Sequence, residues 1–386
     1  MKMRMILGGA AAAALLAIPL IALARGGEGE MTMGAAMTVA ENAAGNPTVA
    51  VDGRDGTGYV AWIATADGAP NVFVARVGAD GTRSDPVRVN DRPGDAAPHE
   101  QAPAQVAVGP DGAVYVLWQN NTKIAGRRFP ASDLRFARST DGGRTFSPAV
   151  TVNDDAGGGH GGGMTSEEGL PPSEIRVSKS MDGGRTFGAS VVVDTAPCPC
   201  CRTSLAVAAD GTVYLAWRKE YAGDVRDVVV ARLAADAAAF DEPVRVHADT
   251  WVFPACPHAG PSLAVDGRGR VHVGWYTGEE ARQGLWYARS EDGARTFSAP
   301  EALVTGADIT PSQVALSPDG DGVMMAWDDR PEDGRRVSVA RVDGAGEMVR
   351  MGRVEGRIPA LESTPAGALL AWHDRQTVRA ARIGSR

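Results

Sequence analysis

The chain has 386 residues, 44% hydrophobic and 22% charged, which is ample apolar material for a large core and excludes disordered, collagen-like and disulfide-stapled mini-protein architectures. Its 39 basic and 47 acidic residues give a formal net charge of −8, and no stretch gathers Lys or Arg into a stripe able to neutralise a phosphate backbone, so a nucleic-acid partner is excluded. The 48 Gly and 24 Pro are spread along the whole length and suit many short strands joined by tight turns, the composition of an all-β protein.

At the N-terminus, Lys2 and Arg4 precede an apolar run from Ile6 to Ala24 that ends in Ala22-Leu23-Ala24, and polar Arg25-Gly26-Gly27-Glu28 follows at once. An apolar run of this length could also serve as an uncleaved anchor. Its Ala and Gly content, Pro19 and the polar residues behind it instead predict a secretory signal over 1–24, cleaved after Ala24. No cysteine lies near that site, so no lipid anchor is expected. What remains is a linker over 25–36 and one domain over 37–386, periplasmic or secreted and without a stable membrane span.

Next comes a repeat: a short apolar strand, a turn that is commonly Asp-Gly, and a second strand ending in Trp. It recurs from Thr48-Val49-Ala50-Val51 to Trp62, Gln105-Val106-Ala107-Val108 to Trp118, Ser204-Leu205-Ala206-Val207 to Trp217, Ser262-Leu263-Ala264-Val265 to Trp275, Gln313-Val314-Ala315-Leu316 to Trp327, and Ile358-Pro359-Ala360-Leu361 to Trp372. The Trp intervals are 56, 99, 58, 52 and 45, of which only the 99 stands out, at about two periods. A third strand ending near Ala-Arg and a fourth complete each unit.

In three units the turn between strands three and four reads Ser-x-Asp-Gly-x-x-Thr-Phe, at Ser139–Phe146, Ser180–Phe187 and Ser290–Phe297. These strings resemble the Asp-boxes, or BNR repeats, of the sialidase superfamily, and the resemblance implies that each four-stranded unit is a blade of a β-propeller. The first two boxes are 41 residues apart, so a unit sits inside the long Trp interval. Its first two strands are replaced by the Gly-rich stretch 154–173, which contains His160 and Met164. The expectation is therefore an all-β, sialidase-like β-propeller of seven blades, one degenerate, with six blades as the alternative because known sialidases have six. The last unit stops after strand three, whereas Met37-Thr38-Val39-Ala40-Glu41-Asn42 resembles fourth strands such as Val150-Thr151-Val152-Asn153. The N-terminal strand is thus expected to close the ring.

All four cysteines fall in two consecutive connections between units, Pro197-Cys198-Pro199-Cys200-Cys201-Arg202 and Ala255-Cys256-Pro257-His258. Aligning the strands that follow sets Cys198 against Cys256 and Cys200 against His258, with His99 in the same column and His160 near in sequence. Cys198, Cys200, Cys201, Cys256, His258, His99 and His160 are soft donors suited to copper or zinc. Structural disulfides, or a redox dithiol, are the alternatives for an exported chain. Met31, Met33 and Met37 could add thioether ligands, although among 12 Met chance is the better account of them.

The resemblance also implies a glycosidase. Sialidases clamp a carboxylate with three arginines, attack with a Tyr activated by Glu, and use an Asp as acid or base. Their first arginine usually lies in a Phe/Tyr-Arg-Ile-Pro string near the N-terminus, whereas here Arg357-Ile358-Pro359 opens the last unit. Tyr59, Tyr115 and Tyr214 all stand three residues before a blade Trp and read as packing residues. The candidates after strand two are Tyr276 or Tyr221 as nucleophile, Glu220 as its base, Asp328 or Asp329 as acid, and Arg218, Arg330 and Arg375 as the clamp. Three functions follow: a binding or metal-handling propeller for copper or zinc, an exo-sialidase or related glycoside hydrolase acting on a small glycan, and an interaction platform for a periplasmic protein.

Overall fold

The computed structural model describes residues 31–385 apart from 44, 124, 126–129, 155–158, 161–172, 330–333 and 365–366. Among them six sheets of four or more strands follow one another along the chain as the blades of a β-propeller. Blade one comprises Thr48–Val51, Gly58–Ala66, Ala69–Val77 and Val87–Arg88, and blade two Gln105–Val108, Val114–Gln119, Leu134–Ser139 and Val150–Thr151. Blades three, four and five start at Ser204–Val207, Ser262–Val265 and Val314–Asp319, and each runs antiparallel from inner to outer edge. Among the described residues no helix is long and apolar enough to cross a membrane.

Blade six is built from both ends of the chain. Arg357–Thr364, Gly367–Asp374 and Thr377–Ser385 supply its first three strands, and Met37–Ala40 pairs with the third, Met37 opposite Ala380 and Thr38 opposite Arg379. The ring is closed by the N-terminal strand, as the resemblance of 37–42 to fourth strands implied. Met31–Met33, placed by the sequence in a linker, extends the same edge opposite Ile383, Gly384 and Ser385.

The complete blades number six. Of the seventh unit anticipated in the long Trp interval, the described residues show a two-stranded sheet, Ile175–Val177 with Val191–Asp194, while Gly159–His160 pairs with Ala131–Ser132 instead. Ile175, Val177 and Val193 pack on Leu215, Trp217, Val229 and Ala231 of blade three, while the residues standing for its inner strands lie mostly outside the described set. The reduced unit therefore shields the outer part of blade three and leaves the inner part without a neighbouring sheet among the described residues.

The repeated sequence features have local physical causes. All six repeated Trp side chains are at most 2% exposed, wedged between blades. Two indole N–H groups are satisfied by carboxylates from the end of an outer strand, Trp217 by Asp194 at 2.8 Å and Trp275 by Asp249 at 2.7 Å. In the first Asp-box, Ser139 Oγ donates to Asp141 Oδ1 at 2.6 Å and accepts from the Gly143 amide at 2.8 Å, while Asp141 also accepts from the Arg144 and Thr145 amides. Hydrogen bonds from Ser139 and Thr145 hold this carboxyl well below the usual carboxylate range. The boxes also join blades: Gly184 takes φ +81°, and a Cβ there would run into the Phe136 ring of blade two. Around the channel, Ser204, Ser262 and Ser317 hydroxyls accept from the Leu263, Leu316 and Ser363 amides at 3.0, 3.0 and 2.8 Å, stapling each inner strand to the next.

Candidate functional site

The connections entering each inner strand converge at one end of the propeller. Gln313 donates to Gln101 Oε1 at 3.2 Å and to the His258 carbonyl at 3.0 Å, so blades two, four and five meet there. Asn46 and Arg202 both donate to the Glu100 carbonyl at 2.8 Å, adding blades one and three.

The cysteines are gathered at this end. The Cys198 amide donates to the Arg218 carbonyl at 2.8 Å and the Cys201 amide turns back to the Cys198 carbonyl at 3.3 Å, which folds Cys-Pro-Cys-Cys into a tight turn. Cys198 and Cys200 are each 3% exposed. The Cys198 Sγ lies 3.7 Å from that of Cys200 and 3.0 Å from that of Cys201, and all four cysteines are free thiols. The potential ligand atoms form two groups, Cys198/Cys200/Cys201 and Cys200/Cys256/His258, each with its atoms within 4.8 Å of one another. The sequence alignment that set Cys200 against His258 thus corresponds to a spatial cluster. His258 sits at φ +53°, a left-handed conformation that imidazole residues tolerate better than most and that a binding loop can store as strain. His99 stands beside it, ring centroids 6.5 Å apart. Burial, with His258 and Arg202 close by, lowers the His99 pKa and favours the neutral ring that a metal ligand requires. For His160 the backbone alone is described, paired opposite Ala131.

The electrostatics are those of one thiolate shared among thiols. Hydrogen bonds from Cys200 and Cys201, with the Arg226 guanidinium near, hold Cys198 well below the usual thiol range, and donating to it pushes Cys200 and Cys201 up. Two buried arginines underlie the cluster. Arg218, 1% exposed, donates to the Ala259, Arg226 and Tyr276 carbonyls at 2.9, 2.9 and 2.6 Å, and Arg226 donates to the Phe253 carbonyl at 2.7 Å.

Beside the thiols lies a cavity of about 200 Å³ lined by Glu100, His258, Ser312, Gln313, Asp328, Arg335 and Arg357. Asp328 is fixed by the Ser312 hydroxyl at 2.8 Å and the Ile358 amide at 2.5 Å, and Ile358 takes φ +52°, costly for a β-branched residue. Arg202 is partly buried close to Glu100 and Asp328, and desolvation lowers its pKa to about 10. A second cavity of about 430 Å³ adjoins at Arg335 and Arg357 and includes His373, Asp374 and Arg375.

The residues proposed for glycoside cleavage are dispersed by comparison. Tyr276 is 2% exposed, its hydroxyl donating to the Ile309 carbonyl at 3.0 Å. Tyr221 lies under the Arg245 guanidinium, 3.9 Å from its ring centroid, and Glu220 pairs with Arg226 at 2.9 Å. Arg218 is committed to backbone carbonyls, Arg375 lines the second cavity, and Arg330 lies outside the described residues, as does the Asp329 side chain. Asp328 alone of that set stands in the axial cavity. Arg202, Arg335 and Arg357 were not singled out as a clamp, although Arg357-Ile358-Pro359 is the string closest to the family's first arginine motif.

No family model and no curated protein matches this chain. Solved structures do. A polysaccharide lyase of family PL25, an ulvan lyase bound to a GlcA(1-4)Rha3S chain, aligns with a TM-score of 0.58 at 12% identity, over 90% of this chain and 96% of the lyase. The α-L-arabinanase of Penicillium chrysogenum complexed with arabinobiose aligns at 0.53 and 13% identity, over 92% and 98% of the two chains. The Hadza microbial sialidase Hz136 aligns at 0.50 and 12% identity, over 88% of this chain and 65% of that one. At these identities the likeness is one of fold, that of a sialidase-like β-propeller with six blades.

Proposed function

We propose that this chain is an exported propeller that binds a soft metal ion, copper(I) or zinc, through Cys198, Cys200, Cys201, Cys256 and His258, with His99 and His160 as outlying candidates. The observation that carries this reading is the pair of ligand groups, which collects every cysteine of the chain at one end of the propeller. Soft thiolate and imidazole donors suit copper(I) and zinc, and the apolar run over 1–24 supports delivery to the periplasm or beyond. The test is elemental analysis with a free-thiol count on protein isolated from the cell envelope, for the wild type and a Cys200→Ser/Cys201→Ser variant. Copper or zinc bound by the wild type and lost in the folded variant supports the proposal. A metal-free protein whose thiols are all oxidised overturns it and favours an interaction platform stapled by disulfides.

A second reading, a sialidase-like glycoside hydrolase or related glycan-binding protein, is favoured by the arginine-lined axial cavity. Arg202, Arg335 and Arg357 facing Asp328 and Glu100 suit a carboxylate-bearing sugar, with Asp328 as the acid or base. Turnover of a fluorogenic sialoside or a uronate-containing polysaccharide, abolished by Arg357→Ala and by Asp328→Asn, is the result this reading requires.

A further inference from the structure

The five donors do not form one coordination sphere. They fall into two groups of three, Cys198/Cys200/Cys201 and Cys200/Cys256/His258, with Cys200 in both. A closed structural zinc site takes four ligands around one centre, whereas soft copper(I) accepts three. With a metal–sulfur bond of about 2.3 Å, trigonal ligands stand about 4.0 Å apart, close to the 3.7 Å between Cys198 and Cys200, while Cys201, at 3.0 Å from Cys198, has to swing outward on binding. We propose that the cluster is a binuclear copper(I) centre: one ion in the all-sulfur group, one in the Cys200/Cys256/His258 group, and the Cys200 sulfur bridging them.

The proposal rests on the soft-metal reading and deepens it. A thiolate carries enough lone pairs to bind two ions, and Cys200, 3% exposed between Cys198 and Cys256, occupies the shared position. Four thiolates and two copper(I) ions leave two net negative charges, beside which stand the guanidiniums of Arg218 and of Arg226, the latter shared with Glu220. Oxidation is not part of the step: every cysteine binds as its thiolate, those still protonated each giving up one proton to solvent on binding, and the metal stays copper(I).

The experiment is an anaerobic titration of the full chain, reduced with a phosphine, using copper(I) delivered against a chromogenic copper(I) chelator, with bound copper counted by elemental analysis and a copper–copper vector sought by X-ray absorption. Two copper ions per wild-type chain, one in Cys256→Ser/His258→Ala, one in Cys198→Ser/Cys201→Ser, and loss of the copper–copper vector in Cys200→Ser are expected. Circular dichroism confirms the fold of each variant, and the two double variants keep the test decisive should Cys200→Ser fail to fold. One copper per wild-type chain overturns the binuclear centre while leaving a soft-metal site. Two copper ions whose vector persists in Cys200→Ser overturn the bridge, and a reduced chain that binds none overturns the soft-metal reading itself.

Discussion

Blades three and four begin with the same tetrapeptide, Ser-Leu-Ala-Val, at Ser204–Val207 and Ser262–Val265, and both strands pair in the same register with a second strand ending in a buried Trp. Their surroundings differ. Leu263 and Val265 are 5% and 9% exposed because they pack back onto Tyr214, Ala216 and Val228 of blade three, whereas Leu205 and Val207 are 52% and 59% exposed, with no sheet packed against them among the described residues. Burial in a propeller is decided by the preceding blade, which lies tens of residues away in sequence, and identical local sequence carries no information about it. Both blades nevertheless bring ligand residues to the same end of the ring, since these sit in the connections entering the inner strands rather than on the faces between blades.

The contrast can be broken first where it is largest. Leu263→Ala, which empties a closed interface, should cost about 3 kcal/mol, read as a lowered denaturant midpoint at unchanged slope; a loss as small as that of the exposed partner would mean that blade four is not closed. The closed side also holds two titratable groups of opposite sign. Desolvation pushes the Glu362 carboxyl, on the inner strand of blade six, up to about 7. Its folded form holds the proton more tightly than the unfolded chain does, so its contribution is complete at low pH and is lost as pH rises through about 7. Glu362→Gln should therefore match the wild type near pH 4 and exceed it by up to ~3 kcal/mol above pH 8, as equilibrium unfolding at the two pH values would show.

A smaller effect is expected at His272, which stands in blade four where blade three has Tyr214. It is fully buried, 2.7 Å from the Tyr287 hydroxyl and 3.1 Å from Asp266, and burial lowers its pKa against the opposing hydrogen bond that it donates to the Asp266 carboxylate. A depressed histidine pKa favours the neutral folded form, so stability present above the unfolded value is lost as pH falls below about 6.5. His272→Gln should flatten that decline in a series of unfolding curves from pH 7 to pH 5. The smallest effect belongs to Leu205→Ala, on the open side, which should move the midpoint by no more than about 0.5 kcal/mol.

Much of the fold was legible because its signals are local. The Trp spacing and the three Asp-boxes each report on a unit that folds within its own segment, and the ring closure follows from matching the spare strand Met37-Thr38-Val39-Ala40 to the fourth strand that the last unit lacks. The reduction of the third unit was legible only as a replaced stretch of sequence, and its consequence for Leu205 was not, since that depends on a neighbouring sheet. The Cys/His cluster was found because aligned repeats place equivalent residues at equivalent heights. Arg202, Arg335 and Arg357 were passed over as candidates for the converse reason. Arg218, Arg330 and Arg375 follow strand two, as a clamp was expected to, whereas Arg202 and Arg357 enter the inner strands of blades three and six, and these connections reach the axis.

The shared sixth blade bears on how the molecule assembles. Its seam pairs Met31–Met33 and Met37–Ala40 with Thr377–Ser385, the most distant strand partners among the described residues. During synthesis the early strand has no mate until the final one emerges, and closing so long a loop carries an entropic cost that no local contact repays. Folding should be slow for this size, with the intervening blades formed before the seam zips. Until then two sheet edges stand open to other chains, and joining the natural termini while opening the ring between complete blades would remove that exposure.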